Sequence, residues 1–159
     1  MPYRTICVAV APQRYLDFTP VALQQRAVAR AIAIVNEATL TVVSVNTPVD
    51  LLPHLATTEE KILRFIEPLV AEGLSVNTVL RIGRPSKEIL AVIEEIGCDV
   101  LIMGSHNKSG ALDIGLGSTV RALPQDLEVP LILIRPTAAE IERARELTIP
   151  SYPVVFPYG

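Results

Sequence analysis

The spacing of apolar and polar residues changes period several times along the chain. "TICVAVA" (Thr5 to Ala11) is a near-continuous apolar run and "LTVVSVN" (Leu40 to Asn46) is a second. "SVNTVLRI" (Ser75 to Ile82) alternates as a strand with one wetter face would, and "DVLIMGS" (Asp99 to Ser105) and "VPLILIR" (Val129 to Arg135) return to the continuous type. Continuous apolar strands belong to a parallel sheet covered on both faces. Between the strands the spacing turns helical. From Val21 to Asn36 the positions Val21, Ala27, Val28, Ala31, Ile32 and Val35 predict one buried stripe. A second helix is predicted to open at Thr57, which has capping-box spacing to Glu60, and to run to about Glu72 with Ile62, Ile66, Leu69 and Val70 inward. Pro68 inside it predicts a kink or a break. A third helix begins near Pro85 and ends at Gly97; a fourth follows Gly117 and ends before Pro130.

This order, β-α-β-α-β-α-β-α-β, predicts a five-stranded parallel sheet in an α/β/α sandwich joined by right-handed crossovers, a Rossmann-like arrangement. In such sheets the ligand lies beyond the carboxyl ends of the strands, near the point where strand order reverses. The stretch "MGSHNKSGALDIGLGST", Met103 to Thr119, follows the fourth strand on that edge. After Ile134, Thr137 and Glu140 again have capping-box spacing, so Ala138 to Leu147 reads as a short charged helix. "IPSYPVVFPYG" then carries three prolines and three aromatics and cannot be regular helix. It reads equally as an arm packing on a partner or as a frayed terminus. The division is thus an α/β domain over 1–136 and a C-terminal extension over 137–159.

Composition narrows the classes. With 159 residues, half of them hydrophobic and 19% charged, the chain suits one globular domain and not a disordered one. A net charge of −3 without a Lys/Arg cluster argues against a nucleic-acid surface. No run approaches the roughly 18 apolar residues of a membrane span, and the N-terminal run is too short for a signal peptide, so a cytoplasmic protein without membrane insertion is expected. Cys7 and Cys98 form no CxxC pair and read as buried reduced thiols. His54 and His106 are too few for a His/Cys metal site. Ser105, His106 and Asp113 are neighbours on one loop with no nucleophile elbow, and Asp17 and Asp113 have no positioned partner. No catalytic residue is assigned, and an enzyme is not expected.

Two tight phosphate-binding patterns fail on the loop itself. Gly110 and Gly115 have P-loop spacing, but Leu116 and Gly117 follow where Lys and Ser/Thr are required. Gly115 and Gly117 begin a GxGxxG whose last place is Val120, and the turn follows the fourth strand instead of the first. What remains is Gly104-x2-Asn107-x9-Gly117-Ser118, which resembles the G-x2-G-x9-G-S/T signature of the universal stress protein family. The resemblance runs from about Tyr3 to Arg135. "ICVAVAP" is similar to that family's first strand, "GRPSKEIL" to its third helix start, "CDVLIMGSH" to its fourth strand, and "LGSTVRAL" with "VPLILIR" to its closing unit.

The resemblance implies the adenine nucleotide alpha hydrolase-like fold and a site for ATP or another adenine nucleotide, with magnesium accompanying it. Met103 and Val45 would flank the adenine, Gly104 would line the ribose side, and Ser118 would offer a hydroxyl to phosphate. Gly117, Ser118 and Thr119 open a helix whose free N–H groups and dipole suit an anion. The same residues read otherwise as tight turns and a helix cap. Lys108 reads as a phosphate contact or a solvated cation, and Arg84 as an exposed side chain first and a phosphate contact second. Two positions depart from the family. Ala11 stands where nucleotide-binding members carry Asp, and Asn107 replaces the second signature glycine. The family also implies a homodimer through pairing of Val129 to Ile134, an apolar strand at the end of the sheet. Two functions follow as expectations: a dimeric stress-response regulator that binds an adenine nucleotide, or an interaction module of the same fold that binds none.

Overall fold

The computed structural model describes residues 3–10, 20–46, 55–104, 123 and 126–134. Its elements are β1 (Thr5–Ala9), α1 (Pro20–Asn36), β2 (Thr39–Asn46), α2 (Leu55–Ala71), β3 (Val76–Ile82), α3 (Pro85–Ile96), β4 (Val100–Gly104) and β5 (Leu131–Ile134). The five strands form one parallel sheet in the order β3-β2-β1-β4-β5, so the direction of winding reverses between β1 and β4. The start of the predicted fourth helix and everything after Ile134 lie outside the described residues, while residues 126–129, expected as the end of that helix, are turn and irregular backbone leading into β5.

Alternation along the strands splits the core in two. On one face Ile6, Val8, Leu40, Val42, Val100 and Ile102 pack under α1 and α2 with Ile62, Phe65 and Leu69. On the other, Cys7, Ala9, Val43, Val45, Leu101 and Met103 pack under α3 with Ile89, Val92, Ile93 and Leu123. Both faces are covered, which is why the strands read as unbroken apolar runs. β3, at one end of the sheet, exposes the consecutive Asn77 and Thr78, which point to opposite faces, and Ile82, so the single wetter face expected from its sequence is not what the strand shows.

Two helices differ from expectation. α1 buries Val21, Ala22, Gln25, Ala29 and Ala33, whereas Val35, assigned inward by its spacing, is 66% exposed, and Ala27 and Ala31 of the same predicted stripe are exposed as well. The observed stripe is rotated from the predicted one, and the helix turns the small residues Ala22, Ala29 and Ala33 to the sheet and so approaches it closely. α2 starts two residues before Thr57, so the Thr57/Glu60 spacing does not mark its first turn. It runs through Pro68 without a break, buries Phe65 together with Ile62, Ile66 and Leu69, and leaves Val70 exposed. Arg26 ties the two helices, donating from Nη1 to the Phe65 carbonyl (3.2 Å) with its guanidinium over the Phe65 ring.

The three described helices end in the same way at the amino edge of the sheet. The N–H groups of Ala38, Leu74 and Cys98 donate to the carbonyls of Ala33, Leu69 and Ile93, across a left-handed residue at Glu37, Gly73 and Gly97. This is the Schellman arrangement, which satisfies carbonyls the helix leaves open. Asp99 completes that edge: its Oδ2 accepts the backbone N–H of Arg4 (2.7 Å) and of Thr5 (3.0 Å). Those two bonds hold its carboxyl below the usual carboxylate range.

Candidate functional site

At the carboxyl edge the register sets Val79, Val43, Ala9, Met103 and Leu133 in one row across all five strands. β1 ends at Ala9, while β2 continues three residues past Val43 and β4 one residue past Met103. The flanking strands therefore stand beyond β1 at the point where the winding reverses. Val45 and Met103, which the family resemblance sets on the two sides of an adenine, lie on the strands either side of β1 and on the same sheet face, both buried. Two strand spacings separate their strands, about 10 Å.

Gly104 ends β4 on the opposite face, toward α1. A Cβ built on it would collide with Val21 Cγ1 and lie 2.8 Å from Gln25 Oε1. Its backbone is not in the left-handed region. The glycine is required for space: α1 seats against the end of β4 only because no side chain intervenes. Gln25, 3% exposed, donates from Nε2 to the Ala9 carbonyl (2.8 Å), and Ser44 Oγ donates to the Val10 carbonyl (3.0 Å). The last two carbonyls of the first strand region are thus held by side chains from α1 and β2. Neither Gln25 nor Asn46, the buried residue that ends β2, was singled out from sequence. The available signal was an amide within an apolar helix stripe and another closing an apolar strand.

Ala11, Asn107, Gly117, Ser118 and Thr119 lie outside the described residues, as do Ser105, His106, Lys108 and Asp113. Arg84 is exposed and precedes α3 without a side-chain cap, and Pro85 occupies the first turn as predicted. Cys7 and Cys98 are free and buried. A thiol hydrogen bond to Cys98 and, next, burial push the Cys7 thiol far above its ordinary value, which keeps it protonated and unreactive. Among the described residues no three His, Cys, Asp or Glu side chains gather as metal ligands, and no helix is long and apolar enough to cross a membrane.

A parallel five-stranded sheet with helices on both faces and a winding reversal beside β1 defines a doubly wound α/β fold, whose ligands lie in the crevice at the reversal. A family model described as the universal stress protein family matches residues 2–135, and the chain belongs to that family. Over 63 residues it is 32% identical to Universal stress protein MJ0577 of Methanocaldococcus jannaschii, a match covering 40% of this chain and 39% of that relative. The solved structure of MJ0577 superposes with a TM-score of 0.72 at 22% identity, over 86% of this chain and 99% of that one. A universal stress protein from Archaeoglobus fulgidus in complex with dAMP gives a TM-score of 0.67 at 19% identity, over 85% of this chain and 100% of that one. A universal stress protein family member from Arabidopsis thaliana with AMP bound gives 0.61 at 18%, over 86% and 94%. At these identities the superpositions speak for the fold.

Proposed function

We propose that this chain is a stress-response regulatory protein that binds an adenine nucleotide across the carboxyl ends of β1, β2 and β4. The observation that carries the reading is the placement of Val45 and Met103 on the strands either side of β1, which ends before both at the carboxyl edge, at the reversal point, in a fold whose relatives include proteins solved with dAMP and AMP. The adenine lies between Val45 and Met103, the ribose near Gly104, and the phosphates toward Asn107, Gly117, Ser118 and Thr119, with magnesium accompanying a triphosphate. Ala11 removes the carboxylate acceptor that nucleotide-binding members carry, so adenine is held by apolar contact and by fewer polar bonds.

The half-buried residues of β5 support a homodimer formed by pairing of that strand. It lies at the end of the sheet with apolar side chains on both faces, and among the described residues no further strand pairs with its outer edge. Regulation without chemistry suits a site with no assigned general base. One finding favours the second reading, a non-nucleotide interaction module: Gly104 is accounted for by the packing of α1 alone.

Calorimetric titration of the wild type and Gly117→Val with ATP, ADP and AMP, with and without magnesium, separates the two. Heat in the wild type that disappears in the variant supports the nucleotide site, and no binding at millimolar ligand removes it. Light scattering on the eluting protein tests the dimer, which a monomer at all concentrations would exclude.

A further inference from the structure

We infer that Asn46 reads the nucleobase, its side-chain amide donating a hydrogen bond to an acceptor on the base edge. The inference rests on the nucleotide reading above and names a residue that the family signature does not contain. Asn46 is the last residue of β2, 1% exposed, and its Nδ2 has no hydrogen-bond partner. Its carbonyl accepts the N–H of Gly83 (2.8 Å), so the backbone that carries the amide is fixed at the edge of the sheet. The other buried polar side chains described at this edge are engaged, Gln25 with the Ala9 carbonyl and Ser44 with the Val10 carbonyl. A buried donor without an acceptor weakens a fold, and buried polar groups are almost always paired. An unused donor at the strand ends where α/β sheets take their ligands therefore calls for an acceptor that arrives with the ligand.

The chemistry of the surroundings selects the base over the phosphates. Asn46 is a neutral donor withdrawn from water and adjoining Val45, on a strand whose other buried residues are mostly valine and leucine. A phosphate draws charged donors or the free N–H groups of a helix start, whereas a ring nitrogen or carbonyl of a base suits a single neutral amide. Successive residues of β2 point to opposite faces, so Val45 and Asn46 leave the strand end on opposite sides of the sheet, and a base set in line with the sheet, beyond the end of β1, is the position from which both are reached. The replacement is also complementary. The sequence has Ala11 where the resemblance places an acceptor, and β2 supplies a donor, so recognition rests on an acceptor atom of the base in place of one of its N–H groups.

AMP titrated calorimetrically into wild type, Asn46→Leu and Asn46→Ala tests this, with thermal melts of the free proteins alongside. Leucine keeps the branching of asparagine and removes the donor. Both variants are expected to melt cooperatively and to bind AMP about three- to tenfold more weakly, the range for loss of one neutral hydrogen bond. If the larger leucine prevents folding, Asn46→Ala carries the comparison alone. Unchanged AMP affinity in the folded variants overturns the inference and leaves the nucleotide reading standing. Absence of AMP binding by the wild type instead removes the nucleotide reading, and the inference with it.

Discussion

The amino edge of the sheet, where three helices hand over to strands, is closed by backbone bonds of one repeated kind, while the carboxyl edge is held by individual side chains. At the amino edge, Ala38, Leu74 and Cys98 cap the helices that precede them, and Asp99 takes up two further backbone N–H groups. At the carboxyl edge, Gln25 and Ser44 each hold one carbonyl, Gly104 gives up its side chain to let α1 approach, and Asn46 keeps a donor in reserve. The difference teaches where this fold has freedom. Backbone capping needs only a residue that tolerates the left-handed region, whereas the carboxyl edge depends on residue identity and can therefore be specialised for a ligand.

The largest effect is expected at Gly104. In Gly104→Ala the new methyl drives against Val21 and Gln25, and overpacking of this kind costs about 1–3 kcal/mol. Urea denaturation would show it as a lower midpoint with an unchanged slope. A variant as stable as the wild type would mean that α1 does not rest on that glycine. Gln25→Leu comes next. It leaves the buried Ala9 carbonyl without its donor, a loss of about 1–2 kcal/mol in the same measurement. It should also weaken nucleotide binding, because the end of β1 is no longer tied to α1.

At the amino edge the expected losses are smaller. The carboxyl of Asp99 titrates below its ordinary value of 3.8 because it accepts two N–H bonds. A carboxylate depressed in the fold contributes stability that is present above the unfolded value and is lost as pH falls through the folded one. The wild type should therefore lose stability from about pH 4 downward. Asp99→Asn should flatten that part of the profile and cost about 0.5–1 kcal/mol near neutrality, the modest figure suiting a group open to solvent. A profile as steep in the variant as in the wild type would place the acid sensitivity elsewhere. The smallest change is a gain. Glu37 is a left-handed residue with a side chain, and Glu37→Gly should stabilise by about 0.5 kcal/mol, read as a small rise in melting temperature with AMP affinity unaltered.

Strand number and parallel pairing could be read from the continuous apolar runs, because a strand buried on both faces has few other ways to be written, whereas the order β3-β2-β1-β4-β5 and its reversal beside the first strand could not, since apolar runs do not say which strands are neighbours. Gly97 marked the end of α3 for a similar reason, since a left-handed cap favours that residue. The faces of the helices were harder. α1 packs through Ala22, Ala29 and Ala33, whose weak hydrophobicity is overshadowed by the exposed Ile34 and Val35, and Pro68 is tolerated within α2 where composition predicts an interruption. Of the candidate site, Val45 and Met103 were legible as strand-end residues. Asn46 was hidden, because an asparagine closing a strand reads as the start of a turn until its burial is known.

Backbone and side-chain amide resonances followed by two-dimensional NMR while AMP is added compare the two edges in a single measurement. Shifts concentrated at Val45, Met103, Gly104 and the Asn46 side-chain amide, with Thr5, Gly73, Gly97 and Asp99 unmoved, are the predicted result. Shifts confined to the amino edge, or none at millimolar AMP, would contradict it.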